Sequence, residues 1–181
     1  MKKRIALLLL FLFVFSGCSA GRDFSFIIRW GVGRGSVYNS ATGLLVKAEQ
    51  ASEPDRFRTV LKLKREESAE LSALADAIDL TLIPEIPETY DMYSPPGVEC
   101  GLREKPPMLI ELTLRTDREE KHIRCVNVNS LFSVSEETEG DPVKPFDENG
   151  KALEAFLRRA LEIILDSEEW LALPPSEAAY Q

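Results

Sequence analysis

The chain has 181 residues, with 22 Lys and Arg against 30 Asp and Glu, one His, and a formal charge of −8. A surface of that sign repels phosphate backbones and anionic headgroups, which argues against nucleic-acid binding and against adhesion to lipid through a basic patch. The length suffices for one domain with a proper core.

At the N-terminus, Lys2, Lys3 and Arg4 precede eleven apolar residues, Ile5 to Phe15. A bilayer span needs roughly 20 apolar residues, so this run fits the h-region of a signal peptide. It ends at Phe15-Ser16-Gly17-Cys18, which resembles the lipobox of bacterial lipoproteins, with Phe15 where Leu is usual. The resemblance implies that residues 1–17 are removed and that Cys18 is acylated as the new N-terminus. It also implies attachment to a membrane through those acyl chains. Ser19 is not the aspartate that marks inner-membrane retention in many such proteins, which implies the periplasmic face of the outer membrane in a Gram-negative source. Processing would remove three bases and no acid, taking the formal charge from −8 to −11 over the remaining 164 residues. Residues 18–22 then form the lipidated N-terminus and a short linker, 23–173 one domain, and 174–181 a weakly ordered tail.

Beyond the linker, Phe24, Phe26, Ile28, Trp30 and Val32 alternate cleanly with polar or smaller residues and predict a strand. Gly31-Val32-Gly33-Arg34-Gly35 then reads as a turn. A phosphate-binding glycine loop would need a helix next, and the following residues are strand-like, about 37–48, with an interruption signalled at Thr42-Gly43. A third strand is predicted from Phe57 to Leu63. Leu71, Leu74, Ala75 and Ile78 change the period and predict a helix from about Glu66 to Leu82, stopped by Pro84. The segment Pro84 to Pro107 holds six of the eleven prolines and no period, and loops of this length are generally functional or tied down. Two strands follow, about 108–115 and 122–129. An acidic loop, 136–141, precedes a helix whose stripe is Leu153, Phe156, Leu157, Ala160, Ile164 and Leu165, with Asp147 or Asn149 as its cap. The order βββαββα predicts an α+β fold, an antiparallel sheet of about five strands with two helices on one face. The layout also resembles that of small uncharacterised α/β envelope lipoproteins, a likeness that implies no activity.

Few residues point to chemistry. With Cys18 acylated, Cys100 and Cys125 remain as a candidate disulfide, one that would add roughly 3–4 kcal/mol by loop closure, with two free thiols as the alternative. Neither has a second ligand at metal spacing, and no cofactor is implied. His122 and Cys125 are three apart on a strand and so face opposite ways, which works against a Cys–His dyad. Asp147-Glu148-Asn149-Gly150 resembles part of a calcium loop, but Pro145 and Phe156 would occupy ligand positions, so helix capping is the better account. Carboxylate hydrolysis by Glu99 or Glu104 with Asp91 is conceivable, yet no pair stands out among 30 acids. Two surfaces are candidates for a partner. Strand alternation places Arg29, Arg58, Lys62, Lys64, Arg115, His122 and Arg124 away from the helices. Such a cluster suits an acidic partner, although basic residues are also routine on exposed strands. Tyr90, Met92 and Tyr93 beside Pro95-Pro96 are candidate loop contacts, against the duller reading that they pack on their own domain. The leading expectation is a lipid-anchored, non-catalytic binding module with an envelope protein partner; an inhibitor or immunity factor against an envelope-directed enzyme is the alternative.

Overall fold

The structure is a computed structural model that describes residues 24–31, 34–47, 51–95, 108–132 and 144–175. The leader, Cys18, Glu99, Cys100, Glu104 and the acidic loop lie outside the described residues, as do the last six residues. Six strands form one antiparallel sheet: β1 Ser25–Gly31, β2 Ser36–Asn39, β3 Leu44–Val46, β4 Arg58–Val60, β5 Leu109–Arg115 and β6 Glu120–Cys125, in the order β4-β3-β2-β1-β5-β6. Among the described residues three α-helices accompany it: α1 Arg65–Asp76, α2 Glu148–Leu165 and the short α3 Glu168–Ala172. The class is α+β, as the sequence predicts, with one strand and one short helix more than expected.

The extra strand comes from a tight hairpin at the predicted interruption. Asn39 Oδ1 accepts the amides of Ala41 and Thr42 at 3.0 and 3.2 Å, and Gly43 N–H donates to Asn39 O at 2.8 Å. Gly43 has φ +75°, and a Cβ there would lie 2.8 Å from Leu61 O, so the chain reverses here only with glycine. α1 is shorter than its apolar stripe predicts. Past Asp76 the chain is captured from outside, because Asn149 Oδ1 accepts Asp79 N–H at 2.8 Å and Asp79 Oδ1 takes the amide of Thr81 at 3.0 Å. Asp147, not Asn149, caps α2, accepting from Gly150 N–H at 2.7 Å.

One face of the sheet is apolar and carries the helices. Phe26, Ile28, Trp30, Tyr38, Leu45, Ile110, Leu112, Leu114, Ile123 and Cys125 share a single core with Leu71 and Ala75 of α1 and with the stripe of α2. Burying each large side chain contributes about 1.5–3 kcal/mol. Phe156 is the keystone of α2: it meets Phe26 edge-on at 5.4 Å and Phe24 at 6.5 Å. Trp30 stacks on Trp170 at 5.5 Å, and Lys47 Nζ lies 4.8 Å above that ring while donating to Leu173 O at 3.2 Å. These contacts seat α3 over the sheet.

The proline-rich segment is tied down as far as it is described. Tyr90 bridges to Cys125 as a parallel partner; its N–H donates to Arg124 O at 2.8 Å, and its carbonyl accepts Val126 N–H at 3.1 Å. Ile86 N–H donates to His122 O at 3.2 Å. The segment therefore covers the outer edge of β6, whose open hydrogen bonds would otherwise invite a foreign strand. The opposite edge, β4, is only three residues long.

Candidate functional site

The face of the sheet turned away from the helices is the candidate site, and its composition follows from register. Arg58 pairs with Val46, Val46 with Val37, Val37 with Arg29, Arg29 with Glu111, and Glu111 with Arg124. A single row thus crosses all six strands, with arginines at both ends and in the middle. The next row pairs Val60 with Leu44, and Ile27 with Thr113 and Thr113 with His122. Leu44 and Val60 are 38% and 53% exposed, an apolar pair at the β3–β4 side of the face. Val37 and Val46 are buried although they do not belong to the main core.

The electrostatics centre on Glu111. Its Oε1 accepts from Arg124 Nε at 2.9 Å and from Arg34 Nη1, and the carboxylate is only 18% exposed. Burial alone would raise this carboxyl, but the hydrogen bonds and charges of Arg34 and Arg124 outweigh it and hold it below the usual glutamate value. Arg58 pairs with Asp55 at 2.8 Å, Arg115 with Glu120 at 3.2 Å, and His122 lies between Thr113 Oγ1 at 3.0 Å and Glu120 at 3.5 Å. The face therefore interleaves both signs and is not a purely basic patch.

Five of the seven predicted basic residues, Arg29, Arg58, Arg115, His122 and Arg124, share this face by register. Lys62 and Lys64 do not belong to it. β4 ends at Val60, so alternation no longer governs them: Lys64 is the N-cap residue of α1, paired with Glu67 at 3.3 Å. Both line a groove of about 560 Å³ toward α2 and α3, with Glu67, Arg159, Glu162 and Asp166. Arg34 escapes the sequence reading because it stands in a glycine turn; it has a positive φ of 56° in the turn between β1 and β2, and its guanidinium reaches Glu111 on β5. No signal short of the register could have paired it with Glu111.

The loop contacts are corrected. Met92 is 1% exposed and belongs to the core. Tyr93 is half-buried, its hydroxyl 2.7 Å from Ser130 Oγ and 3.1 Å from Glu154. Tyr90 packs against the core beside Cys125. Desolvation leads the causes that push both tyrosines up to about 12. These side chains are occupied with their own domain because the segment closes the β6 edge.

Asp91 is buried at 4% and serves structure. It accepts from Asn127 Nδ2 at 2.7 Å, Ser94 Oγ at 2.9 Å and Tyr93 N–H at 2.9 Å. Its oxygens are committed to holding the segment and the positive-φ turn at Asn127, which gives no support to an Asp91 acid or base. Cys125 points into the core while His122 faces outward, so the two stand on opposite faces as spacing requires. The Cys125 thiol is free and fully buried, and burial, followed by the charge of Asp91, pushes it up to about 12. Cys100, its candidate partner, lies outside the described residues. Among the described residues, no group of three His, Cys, Asp or Glu could hold a metal ion, and no helix is long and apolar enough to cross a membrane. Comparison with protein families, with curated proteins and with solved structures returned no match.

Proposed function

We propose that this chain is an exported lipoprotein, held to the membrane by acyl chains on Cys18, whose domain binds an envelope protein and performs no reaction of its own. In a Gram-negative source it resides on the periplasmic face of the outer membrane. One observation carries the binding role: on the sheet face turned away from the described helices, fixed charges of both signs stand beside the exposed Leu44 and Val60. Interleaved charge favours a partner of complementary pattern, since each wrongly placed like charge costs affinity. Exposed apolar side chains beside it provide area that binding can bury.

The test is affinity capture of the natively lipidated protein from gently solubilised envelopes, with charge reversal on and off the face. A partner recovered in near-equal amount should be lost with Arg58→Glu or Leu44→Asp and retained with Lys62→Glu, at unchanged melting temperature. Capture that ignores the first two substitutions, or that fails with Lys62→Glu alone, removes this face from consideration.

A further inference from the structure

Of the four asparagines in the chain, only Asn149 precedes a glycine. In an unstructured Asn-Gly pair the glycine amide nitrogen attacks the asparagine side-chain carbonyl carbon, because glycine has no Cβ to hinder the approach. A bond from Cγ to the backbone nitrogen forms, the Cγ–Nδ2 bond breaks, and ammonia leaves. Water then opens the resulting succinimide to aspartate or isoaspartate. Such a pair is a modification site wherever the chain is free to bend into that geometry.

Here the fold withholds each participant. Asn149 Oδ1 accepts Asp79 N–H at 2.8 Å and Nδ2 donates to Asp79 O at 3.2 Å, so the side-chain amide is held at both ends. The N–H of Gly150, the nucleophile, donates to Asp147 Oδ1 at 2.7 Å. Both residues lie in the first turn of α2, which Lys151 N–H closes onto Asp147 O at 3.0 Å. Ring closure needs the backbone at Asn149 to leave its helical ψ, and that turn must open first. The same contacts explain why so labile a pair stands here. Gly150 is buried, and a Cβ there would lie 2.9 Å from Met92 O and 3.3 Å from Pro145 Cβ. Close packing demands glycine at 150, while the contact with Asp79 uses a side chain at 149 that both donates and accepts. Asn149 itself is only half-buried, so water reaches it once the turn opens.

We propose that Asn149 is a fold-guarded modification site. Its amide persists while the first turn of α2 is closed and is converted to aspartate or isoaspartate in molecules whose turn has opened. Conversion replaces the Nδ2 donor with an oxygen facing Asp79 O, and isoaspartate also adds a methylene to the backbone of the turn. The contact between the exit of α1 and the start of α2 is weakened in consequence. An opening event thereby leaves a permanent covalent mark.

The full-length protein, incubated in mildly alkaline buffer with and without denaturing guanidinium chloride, tests this by peptide mapping with fragmentation that resolves each asparagine. Conversion at 149 should run at least about tenfold slower in the folded protein than in denaturant, since the folded rate scales with the open fraction of the turn. Asp147→Ala frees the Gly150 N–H and should raise the folded rate several-fold while leaving the rate in denaturant unchanged, with circular dichroism checking that the variant is folded. Hydrogen exchange at the Gly150 amide of the unsubstituted protein asks the same question without a variant, and protection is expected. Equal conversion in buffer and denaturant, no conversion at 149 in denaturant, or an unprotected Gly150 amide overturns the proposal. A folded Asp147→Ala protein that converts no faster than its parent overturns it as well.

Discussion

Glu111 shows how a side chain of ordinary appearance becomes a fixed point. Pairing places Arg124 beside it on β6, and the turn after β1 returns Arg34 to its other side. Because the folded carboxyl titrates below its usual value, the stabilisation is present above about pH 4.5 and is lost as pH falls through the lowered folded value. Glu111→Gln should therefore cost about 1 kcal/mol at neutral pH, with partial exposure limiting the size. Denaturant midpoints of the two proteins should converge on acidification; a pH-independent gap would deny the charge any part. Cys125 makes the opposite case, a reactive group made inert by burial. It should resist alkylation in the native protein and react once unfolded without reductant, as read by peptide mass mapping. Failure to react until reductant is added would instead reveal a bridge to Cys100. The buried polar residues of the proline-rich segment follow the same logic. Asp91 accepts from Asn127, Ser94 and Tyr93, and an unpaired buried carboxylate there would cost several kcal/mol.

At the scale of elements, alternation and period carried far where one face alone decided burial. β1, β5 and α2 stand close to where their apolar patterns place them; in the two strands a one-residue slip would turn every core side chain to water. Boundaries moved where a distant residue intervened. α1 stops short because Asn149 captures Asp79, a contact across 70 residues. β6 ends before Asn127, whose positive φ is held by Asp91. The β2–β3 hairpin was legible as a break at Thr42-Gly43, but the need for glycine there comes from Leu61, which packs its carbonyl against the turn. Gly43→Ala should cost about 1–3 kcal/mol through the positive φ and that close approach, measured as a drop in unfolding free energy. A neutral substitution would mean that the hairpin relaxes without penalty.

For the whole molecule, the decisive feature is a sheet whose helices, among the described residues, pack on one face. The described residues gather most of their apolar side chains in one core, while the other face mixes interleaved charge with Val37, Val46, Leu44 and Val60; both edges are guarded, β6 by the Ile86–Tyr90 segment and β4 by its brevity. Five of the seven basic residues expected on that face were legible because strand alternation is a local property. Lys62 and Lys64 were misplaced because the strand ends before them, and Arg34 was invisible because a turn has no period. Taken alone, the amino-acid sequence determined the α+β class, the core stripes and the expectation of a lipobox, for these depend on residues near one another in the chain. Only the tertiary structure decided the partners of Glu111 and the closure of the β6 edge by Tyr90. Those depend on register between strands far apart in sequence, and register is set by the packing of the whole core.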